Sequence, residues 1–281
     1  MIHTIKRPDG CDLLLEIDDF TNPWEDAPWL FMIHGFAESR QAWRAWVPHF
    51  ARDFKVLRLD LRGFGESTAM TEDFPWSMEV IMKDIEAVVK TVCKTPVHLM
   101  GAKSGGTFAL EFAARFPELV KTVVGVTPPV IAAQGVEDWI ESIKKDGVLA
   151  WARSTMNGRL GSRVSEKEVE WWVNDVQGRT SEPSLLGYLS WIPGLDIRQS
   201  LPKINVPSLV ITTTGSGLRT VESVRVWHAT IPGSKLHVIE GDAWHAAGAY
   251  PDLCSHIVRD FLTPLLKITP LVSQRSESNE K

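Results

Sequence analysis

The sequence predicts an α/β fold, with a mostly parallel sheet flanked by helices and interrupted by an inserted helical segment. Short apolar runs that end at glycine or proline alternate with helix-length amphipathic stretches, the pattern of repeated β-α-β units. Over residues 128–200 this rhythm breaks, and the pattern indicates several helices separated by glycine and proline. A chain of 281 residues is long enough for one large core with such an insertion.

Six apolar runs are predicted to be buried strands because they are short and rich in aliphatic residues. They are residues 30–33, 55–59, 97–100, 122–126, 208–212 and 235–239. Amphipathic stretches between and after them are predicted to be helices. These are residues 41–50, 78–93, 106–116, 221–230 and 253–262.

The chain is therefore expected to divide into three parts. Residues 1–127 and 201–267 form the core, and residues 128–200 form a helical cap. Residues 268–281 are polar without periodicity and are predicted to be a disordered tail. A cap above the carboxyl ends of parallel strands would cover the place where α/β proteins bind their ligands.

Composition excludes several classes of protein. A formal net charge of -5, with 44% hydrophobic and 23% charged residues, is typical of a globular protein and unlike a nucleic-acid-binding one. Neither a secretory signal nor an apolar run of membrane-spanning length stands out. Three scattered cysteines, Cys11, Cys93 and Cys254, indicate neither a disulfide framework nor a metal site and favour the cytoplasm. Without a phosphate-binding glycine loop, a nicotinamide fingerprint or metal-ligand spacing, we expect a small-molecule substrate and no cofactor, nucleic acid or membrane partner.

Three motifs follow the predicted strands in order. Residues 34–36 (HGF) follow the first strand, where a backbone N–H can point into a cleft. Residues 60–67 (DLRGFGES) follow the second as a turn in which the aspartate and arginine can pair across the loop. Residues 101–106 (GAKSGG) form a tight turn between strand and helix, the layout of a nucleophile elbow.

These motifs resemble those of the α/β-hydrolase superfamily over residues 28–127 and 201–263. That family's elbow is G-x-S-x-G-G, followed by a helix and a proline eleven residues after the last glycine, and the spacing from Gly106 to Pro117 agrees. In this register Lys103 occupies the serine position. The resemblance implies the α/β-hydrolase fold, with Lys103 as the elbow residue and His245, after the last strand, as the catalytic histidine.

The acid of the family's triad has no match in its usual place. It would follow the strand at 208–212, but residues 212–217 (TTTGSG) contain no carboxylate. Glu222, Asp242 and Asp196 are candidates to replace it, although none stands at the family position.

Two roles for Lys103 remain open. In an apolar, closed cleft its pKa would fall, and the neutral amine could form a Schiff base for retro-aldol cleavage or decarboxylation, with His245 moving the proton. Alternatively, charged Lys103 could bind a carboxylate or enolate beside an oxyanion hole formed by the backbone N–H groups of Phe36 and Ser104, while His245 activates water.

The sequence predicts an enzyme that acts on a small, largely apolar carbonyl compound by ester, lactone or carbon-carbon hydrolysis, or by such lyase chemistry. Ser104 is an alternative nucleophile, because residues 102–106 also satisfy an A-x-S-x-G elbow, although the helix register favours Lys103. A non-catalytic ligand-binding protein is a third possibility. The expected pocket residues are His34, Trp139, Trp171, Trp172, Trp191 and Trp244.

Overall fold

A computed structural model describes residues 1–132, 135–217 and 219–266, and its framework is one eight-stranded sheet. The strands are β1 (Ile2–Lys6), β2 (Asp12–Asp18), β3 (Trp29–Ile33), β4 (Lys55–Leu59), β5 (Val97–Ala102), β6 (Val120–Val126), β7 (Ser208–Thr213) and β8 (Lys235–Ile239). Their order is β1-β2-β4-β3-β5-β6-β7-β8. The hairpin β1-β2 pairs antiparallel at one edge, and strands β3 to β8 pair parallel. This is the predicted α/β-hydrolase architecture.

All six predicted strands are present, whereas β1 and β2 were not predicted. Exposed and half-buried residues alternate along β1, and in β2 only Leu13 and Leu15 are fully buried. An edge hairpin buries one face and lacks the continuous apolar run by which the central strands were recognised. In β3, by contrast, Leu30 and Met32 face one hydrophobic cluster while Phe31 faces the other, so the sheet is covered on both sides.

The helices are α1 (Val47–Phe50), α2 (Met78–Val88), α3 (Ser104–Arg115), α4 (Val136–Leu160), α5 (Glu166–Trp171), α6 (Glu182–Trp191), α7 (Val221–His228), α8 (Ala246–Ala249) and α9 (Pro251–Leu262). The predicted helix at 41–50 is wrong in form, because a short 3-10 helix, Arg40–Trp43, precedes the four-residue α1. Pro48 lies in the first turn of α1, and a proline inside a longer helix would remove a hydrogen bond. Among the residues described, no helix is both long and apolar enough to cross a membrane.

Helices α4, α5 and α6 lie between β6 and β7 in the chain, and α4 and α6 pack over the loop that follows β3. Phe36 of that loop stacks on Trp139 and Tyr188 at ring-centroid distances of 6.1 and 5.4 Å and meets Trp151 edge-on at 5.7 Å. The helical segment therefore covers the edge of the sheet at which β3 and β5 end. The predicted tail at 268–281 lies outside the described residues.

The loop after β4 is also held differently from the sequence expectation. The sequence allowed Asp60 and Arg62 to pair with each other, but Asp60 accepts the backbone N–H of Arg40 at 2.6 Å. Arg62 instead forms a two-fold contact with Asp84 of α2 at 2.8 and 2.9 Å. Each side chain thus ties the loop to a separate element, which the local sequence does not reveal.

Candidate active site

Lys103 occupies the sharp turn between β5 and α3. Its backbone angles, φ 53° and ψ -126°, are strained for a residue with a side chain. A Cβ on Gly101 would lie 2.1 Å from the carbonyl oxygen of Gly105, and one on Gly105 would lie 2.2 Å from that of Ile33. The start of α3 therefore lies in backbone contact with the ends of both β5 and β3. Ser104 is the first residue of α3.

A carboxylate from the loop after β3 meets the Lys103 side chain. The Lys103 Nζ lies 3.1 Å from Oε1 of Glu38, and both side chains are buried. The other oxygen, Oε2, accepts the backbone N–H of Gly35 at 3.0 Å. The loop is thus wrapped around the Glu38 carboxylate, and Gly35 leaves room for it because an added Cβ would lie 3.0 Å from either oxygen.

His245 contacts the same carboxylate, at the same oxygen as Lys103. Its Nε2 lies 3.0 Å from Glu38 Oε1, although the N–H does not point directly enough at this oxygen for a regular hydrogen bond. Its Nδ1 accepts the backbone N–H of Gly248 at 3.3 Å. Glu38 therefore links Lys103 and His245, and both ring nitrogens of the histidine face protein groups.

The three carboxylates proposed as replacements for the triad acid lie in other surroundings. Asp242 accepts the backbone N–H of Ser162 at 3.0 Å, Asp196 pairs with its neighbour Arg198 at 2.5 Å, and Glu222 is exposed in the first turn of α7. These candidates were wrong. The residue missed was Glu38, and its one signal was a carboxylate in the loop expected to carry the oxyanion hole.

A second cation, Arg159 in the last turn of α4, lies fully buried at this site. Its guanidinium carbon lies 5.5 Å from the ring centroid of Trp139 and 4.9 Å from those of Trp151 and Trp244. Nε donates to Thr155 Oγ1 at 3.1 Å, but neither terminal nitrogen has a hydrogen-bond partner among the described residues. Nothing in the sequence distinguished Arg159 from other arginines of the helical segment.

Backbone contacts fix the end of α4 against the loop that carries His245. The N–H of His245 donates to the carbonyl oxygen of Arg159 at 2.9 Å. Gly161 ends the helix at φ 74°, where a Cβ would lie 2.4 Å from Oδ1 of Asp242. The position of Arg159 is therefore set by the same loop that positions His245.

Burial and mutual charge set the protonation states of the four ionisable side chains at this site. Burial lowers the pKa of Lys103 to about 8, with Glu38 opposing and Arg159 reinforcing the shift. Burial alone would raise the pKa of Glu38, but His245 and Lys103 hold it well below its usual range. Burial lowers the pKa of His245 and lowers that of Arg159 to about 10. At neutral pH the carboxylate and the guanidinium are charged, and Lys103 is mostly protonated with a minor neutral fraction.

A largely apolar cavity lies between the elbow and the helical segment. At the sheet edge it is lined by Lys103, Ser104 and Thr127. Its other walls come mostly from Phe36, Val136, Trp139, Leu189, Ile192, Leu195 and Trp244. Lys103 is thus the member of the ionic group that reaches the cavity, with Glu38 and His245 behind it.

Two of the six predicted pocket residues, Trp139 and Trp244, line this cavity. His34 does not, because its ring contacts the carbonyl oxygen of Gly35 at 2.7 Å and accepts the backbone N–H of Leu61 at 3.0 Å. The other three indoles also lie elsewhere. Trp171 lines a separate polar cleft, Trp172 packs on His245, and Trp191 packs on Trp76, Phe108 and Tyr188.

The alternative nucleophile, Ser104, lines the cavity without a general base in place. Its hydroxyl faces that of Tyr188, and neither makes a hydrogen bond of regular geometry within the described part of the chain. Phe36 and Ser104 both border the cavity, as an oxyanion hole formed by their backbone N–H groups requires. That oxyanion hole stays a prediction. No trio of histidine, cysteine, aspartate or glutamate arranged to hold a metal ion occurs among the residues that the structure describes.

Comparison with known proteins places this chain in a family. The model of the alpha/beta hydrolase fold family matches residues 28–248. A pimeloyl-[acyl-carrier protein] methyl ester esterase of Aeromonas hydrophila is 21% identical over 250 residues, covering 84% of this chain and 95% of that protein. Epoxide hydrolase 3 of Xenopus tropicalis is 29% identical over 102 residues, 36% of this chain and 28% of the relative.

This chain aligns with only about a quarter of the length of the epoxide hydrolases. For three of them the aligned share of the relative is between 22% and 28%. Among solved structures, the enol-lactonase of Burkholderia xenovorans LB400 superimposes with a TM-score of 0.82 at 23% identity. That superposition covers 91% of this chain and 98% of the enol-lactonase, a likeness of fold. The chain belongs to the alpha/beta hydrolase fold family.

Proposed function

We propose that the chain is an enzyme that breaks a bond beside the carbonyl group of a small, largely apolar compound, with Lys103 as the reacting group. The observation that carries this proposal is the position of Lys103, which stands at the strained elbow and faces an apolar cavity. In this family the elbow presents the nucleophile to the substrate.

The chemistry follows from an amine that is partly neutral. With a pKa of about 8, roughly a tenth of the Lys103 side chains are unprotonated at pH 7. The nitrogen lone pair attacks the carbonyl carbon, and an N–H proton moves to the former carbonyl oxygen to give a neutral carbinolamine. A further proton from solvent lets this hydroxyl leave as water and produces an iminium ion. The iminium accepts the electron pair of the neighbouring carbon-carbon bond as that bond breaks, which gives an enamine. The other fragment departs as carbon dioxide from a β-keto acid, or as an aldehyde or ketone once its hydroxyl proton passes to solvent. Protonation of the enamine carbon and addition of water then release the second product and free Lys103.

Glu38 stabilises the charged intermediate in this scheme. Its carboxylate lies 3.1 Å from the Lys103 Nζ, and its strongly lowered pKa keeps it anionic, so it is a counterion rather than a base. His245 acts through Glu38 as a positioning residue, because it contacts the carboxylate and lies outside the cavity wall.

The relatives support the wider class of reaction. Their names describe an epoxide hydrolase, a methyl ester esterase and an enol-lactonase. The bonds that these names indicate all have an electrophilic carbon. A carbonyl carbon is the electrophile that a lysine amine traps reversibly.

Reductive trapping tests the proposal. The protein is incubated with a panel of ketones, aldehydes and β-keto acids, reduced with sodium borohydride, and analysed by intact mass and peptide mapping. We expect a stable adduct on Lys103, and product formation from at least one member of the panel. In Lys103→Arg, which keeps a positive charge, both should be lost.

Lys94→Arg is the matched control, because Lys94 also has a positive φ, of 58°, but is exposed. It should keep both the adduct and turnover. Labelling that persists in Lys103→Arg, or neither adduct nor product with the whole panel, would reject the proposal and favour a ligand-binding protein.

Ester hydrolysis through Ser104 is the second candidate. It is favoured by the position of Ser104 in the cavity lining and by the near full-length likeness to an esterase. The contacts of His245 argue against it, because a serine nucleophile needs a base within hydrogen-bond reach and the histidine is turned to Glu38 and Gly248.

A further inference from the structure

We infer that Arg159 binds a carboxylate group of the substrate, so that the substrate class is small, largely apolar carbonyl compounds that carry a carboxylate. The reaction part of this inference rests on the proposed function of Lys103, whereas the binding part does not.

The unsatisfied hydrogen bonds of Arg159 are the first observation. Its side chain is fully buried, yet both terminal nitrogens lack an acceptor within the described residues. Arg62, which is also buried, donates from Nε, Nη1 and Nη2 to carboxylates at 2.8, 2.6 and 2.9 Å. A buried guanidinium without acceptors destabilises a fold, and a ligand that supplies an anion removes that cost.

The neighbouring carboxylate does not fill this role. Glu38 attracts Arg159 electrostatically, but its Oε1 is used by Lys103 and His245 and its Oε2 by Gly35. The terminal nitrogens of Arg159 thus remain available to an acceptor from outside the protein.

The walls around Arg159 supply the second observation, a route from the cavity. Trp139 and Trp244 border both the guanidinium and the cavity, and both are only half-buried. Trp151, the third ring around Arg159, is 1% exposed and fixed in the core. Arg159 itself does not line the cavity, so a ligand there reaches the guanidinium only when one of these two half-buried indoles moves aside.

One indole also relates the two cations. The centroid of the Trp244 ring lies 5.1 Å from the Lys103 Nζ and 4.9 Å from the guanidinium carbon of Arg159. A ligand whose carbonyl carbon meets Lys103 can therefore place a carboxylate at Arg159 if a few bonds separate the two groups.

The chemistry of the site favours a carboxylate over a larger anion. Two terminal guanidinium nitrogens form a planar fork that matches the two oxygens of one carboxylate. The cavity is lined mostly by aromatic and aliphatic residues, although Arg219 also borders it, so it suits a largely hydrocarbon body. Survival of the carboxylate preference in Arg159→Met would therefore assign the anion to Lys103 or Arg219 instead.

Ligand binding tests this inference without the reaction. Hexanoate, octanoate and decanoate are each compared with the matching primary amide, which has nearly the same shape and no charge. None of the six can form an imine with Lys103. Affinity is measured by calorimetry and by quenching of tryptophan fluorescence, since three indoles surround Arg159.

We expect at least one carboxylate to bind roughly ten-fold or more tightly than its amide, as for a charge-assisted hydrogen bond. Arg159→Met should remove this preference and Arg159→Lys should retain part of it. Arg153→Met, on the same helix but exposed and paired with Glu170, is the matched control and should retain it fully.

A wild-type protein that binds no carboxylate more tightly than its amide overturns the inference, as does a preference that survives in Arg159→Met. Should Arg159→Met fail to fold, the wild-type comparison and Arg159→Lys still decide. A carboxylate preference without trapping of Lys103 would reject the proposed reaction and leave this site standing. Trapping of Lys103 without a preference for carboxylates would support the proposed reaction and reject the Arg159 site.

Discussion

Two buried ionic clusters in this molecule differ in how completely their hydrogen bonds are satisfied. The Asp84 cluster, defined as Arg7, Asp9, Arg62 and Asp84, ties α2 to the turn of the β1-β2 hairpin. Both oxygens of Asp84 accept hydrogen bonds from arginine, and all three side-chain nitrogens of Arg62 reach carboxylates. Such a cluster holds elements together.

The Glu38 cluster, defined as Glu38, Lys103, Arg159 and His245, is buried more deeply, yet its hydrogen bonds are incomplete. Two cations share the surroundings of one carboxylate, the elbow backbone is strained, and the terminal nitrogens of Arg159 have no acceptor in the described structure. The comparison teaches that unsatisfied charge and strain, rather than buried charge alone, mark the site at which a protein acts.

Substitution in the two clusters should affect stability very differently. Asp84→Asn leaves buried Arg62 without its main partner and should lower the free energy of unfolding by about 3–5 kcal/mol. Lys103→Met removes a charge that burial already disfavours, so we expect a loss of less than about 2 kcal/mol. Urea unfolding at pH 7 measures both, and equal losses would contradict the distinction.

Stability should also depend on pH through Lys103. Its pKa falls from 10.5 to about 8 on folding, so between these values the unfolded chain holds a proton that the folded chain has lost. Stability therefore increases with pH across this window, by on the order of a few kcal/mol. The difference in unfolding free energy between wild type and Lys103→Met should grow from pH 7.5 to pH 10. A constant difference would show that the lysine titrates normally.

Glu38→Gln should shift the dependence of kcat/KM on pH. The carboxylate favours the charged form of Lys103, so its neutral isostere should lower the lysine pKa further. The rising limb of kcat/KM against pH should then shift to lower pH by roughly one unit, although the maximum rate falls because the iminium loses its counterion. A rising limb that stays in place would separate Glu38 from the reacting amine.

The smallest effect is expected at Ser104. Because its hydroxyl has no hydrogen bond to His245, Ser104→Ala should change turnover less than about three-fold, and a fluorophosphonate should leave the protein unmodified by intact mass. An adduct mapped to Ser104 would instead identify a serine hydrolase and displace Lys103 from its role.

The sequence predicted the framework of this site well. The central strands appear as continuous apolar runs because both faces of the sheet are covered, and the glycines around Lys103 mark the elbow because the strand and helix touch there. These signals are local, so one chain suffices to find them. The edge hairpin was missed because one-sided burial leaves only weak alternation.

The sequence did not predict which charges meet. Glu38 and Lys103 are 65 residues apart, and Arg159 joins them through the backbone contact between α4 and the loop of His245. Such pairings are set by how loops fold over the sheet edge. The tryptophans illustrate the same limit, since Trp139 and Trp244 line the cavity while Trp171 lies at another cleft.

The protonation state of Lys103 is the central claim, and lysine-selective 15N labelling with NMR detection of the Nζ resonances tests it most directly. The signal absent from Lys103→Met identifies the residue, and its shift is followed from pH 6 to pH 11. We predict a midpoint near 8 for this one lysine. A midpoint near the ordinary value of 10.5 would contradict the proposed amine chemistry.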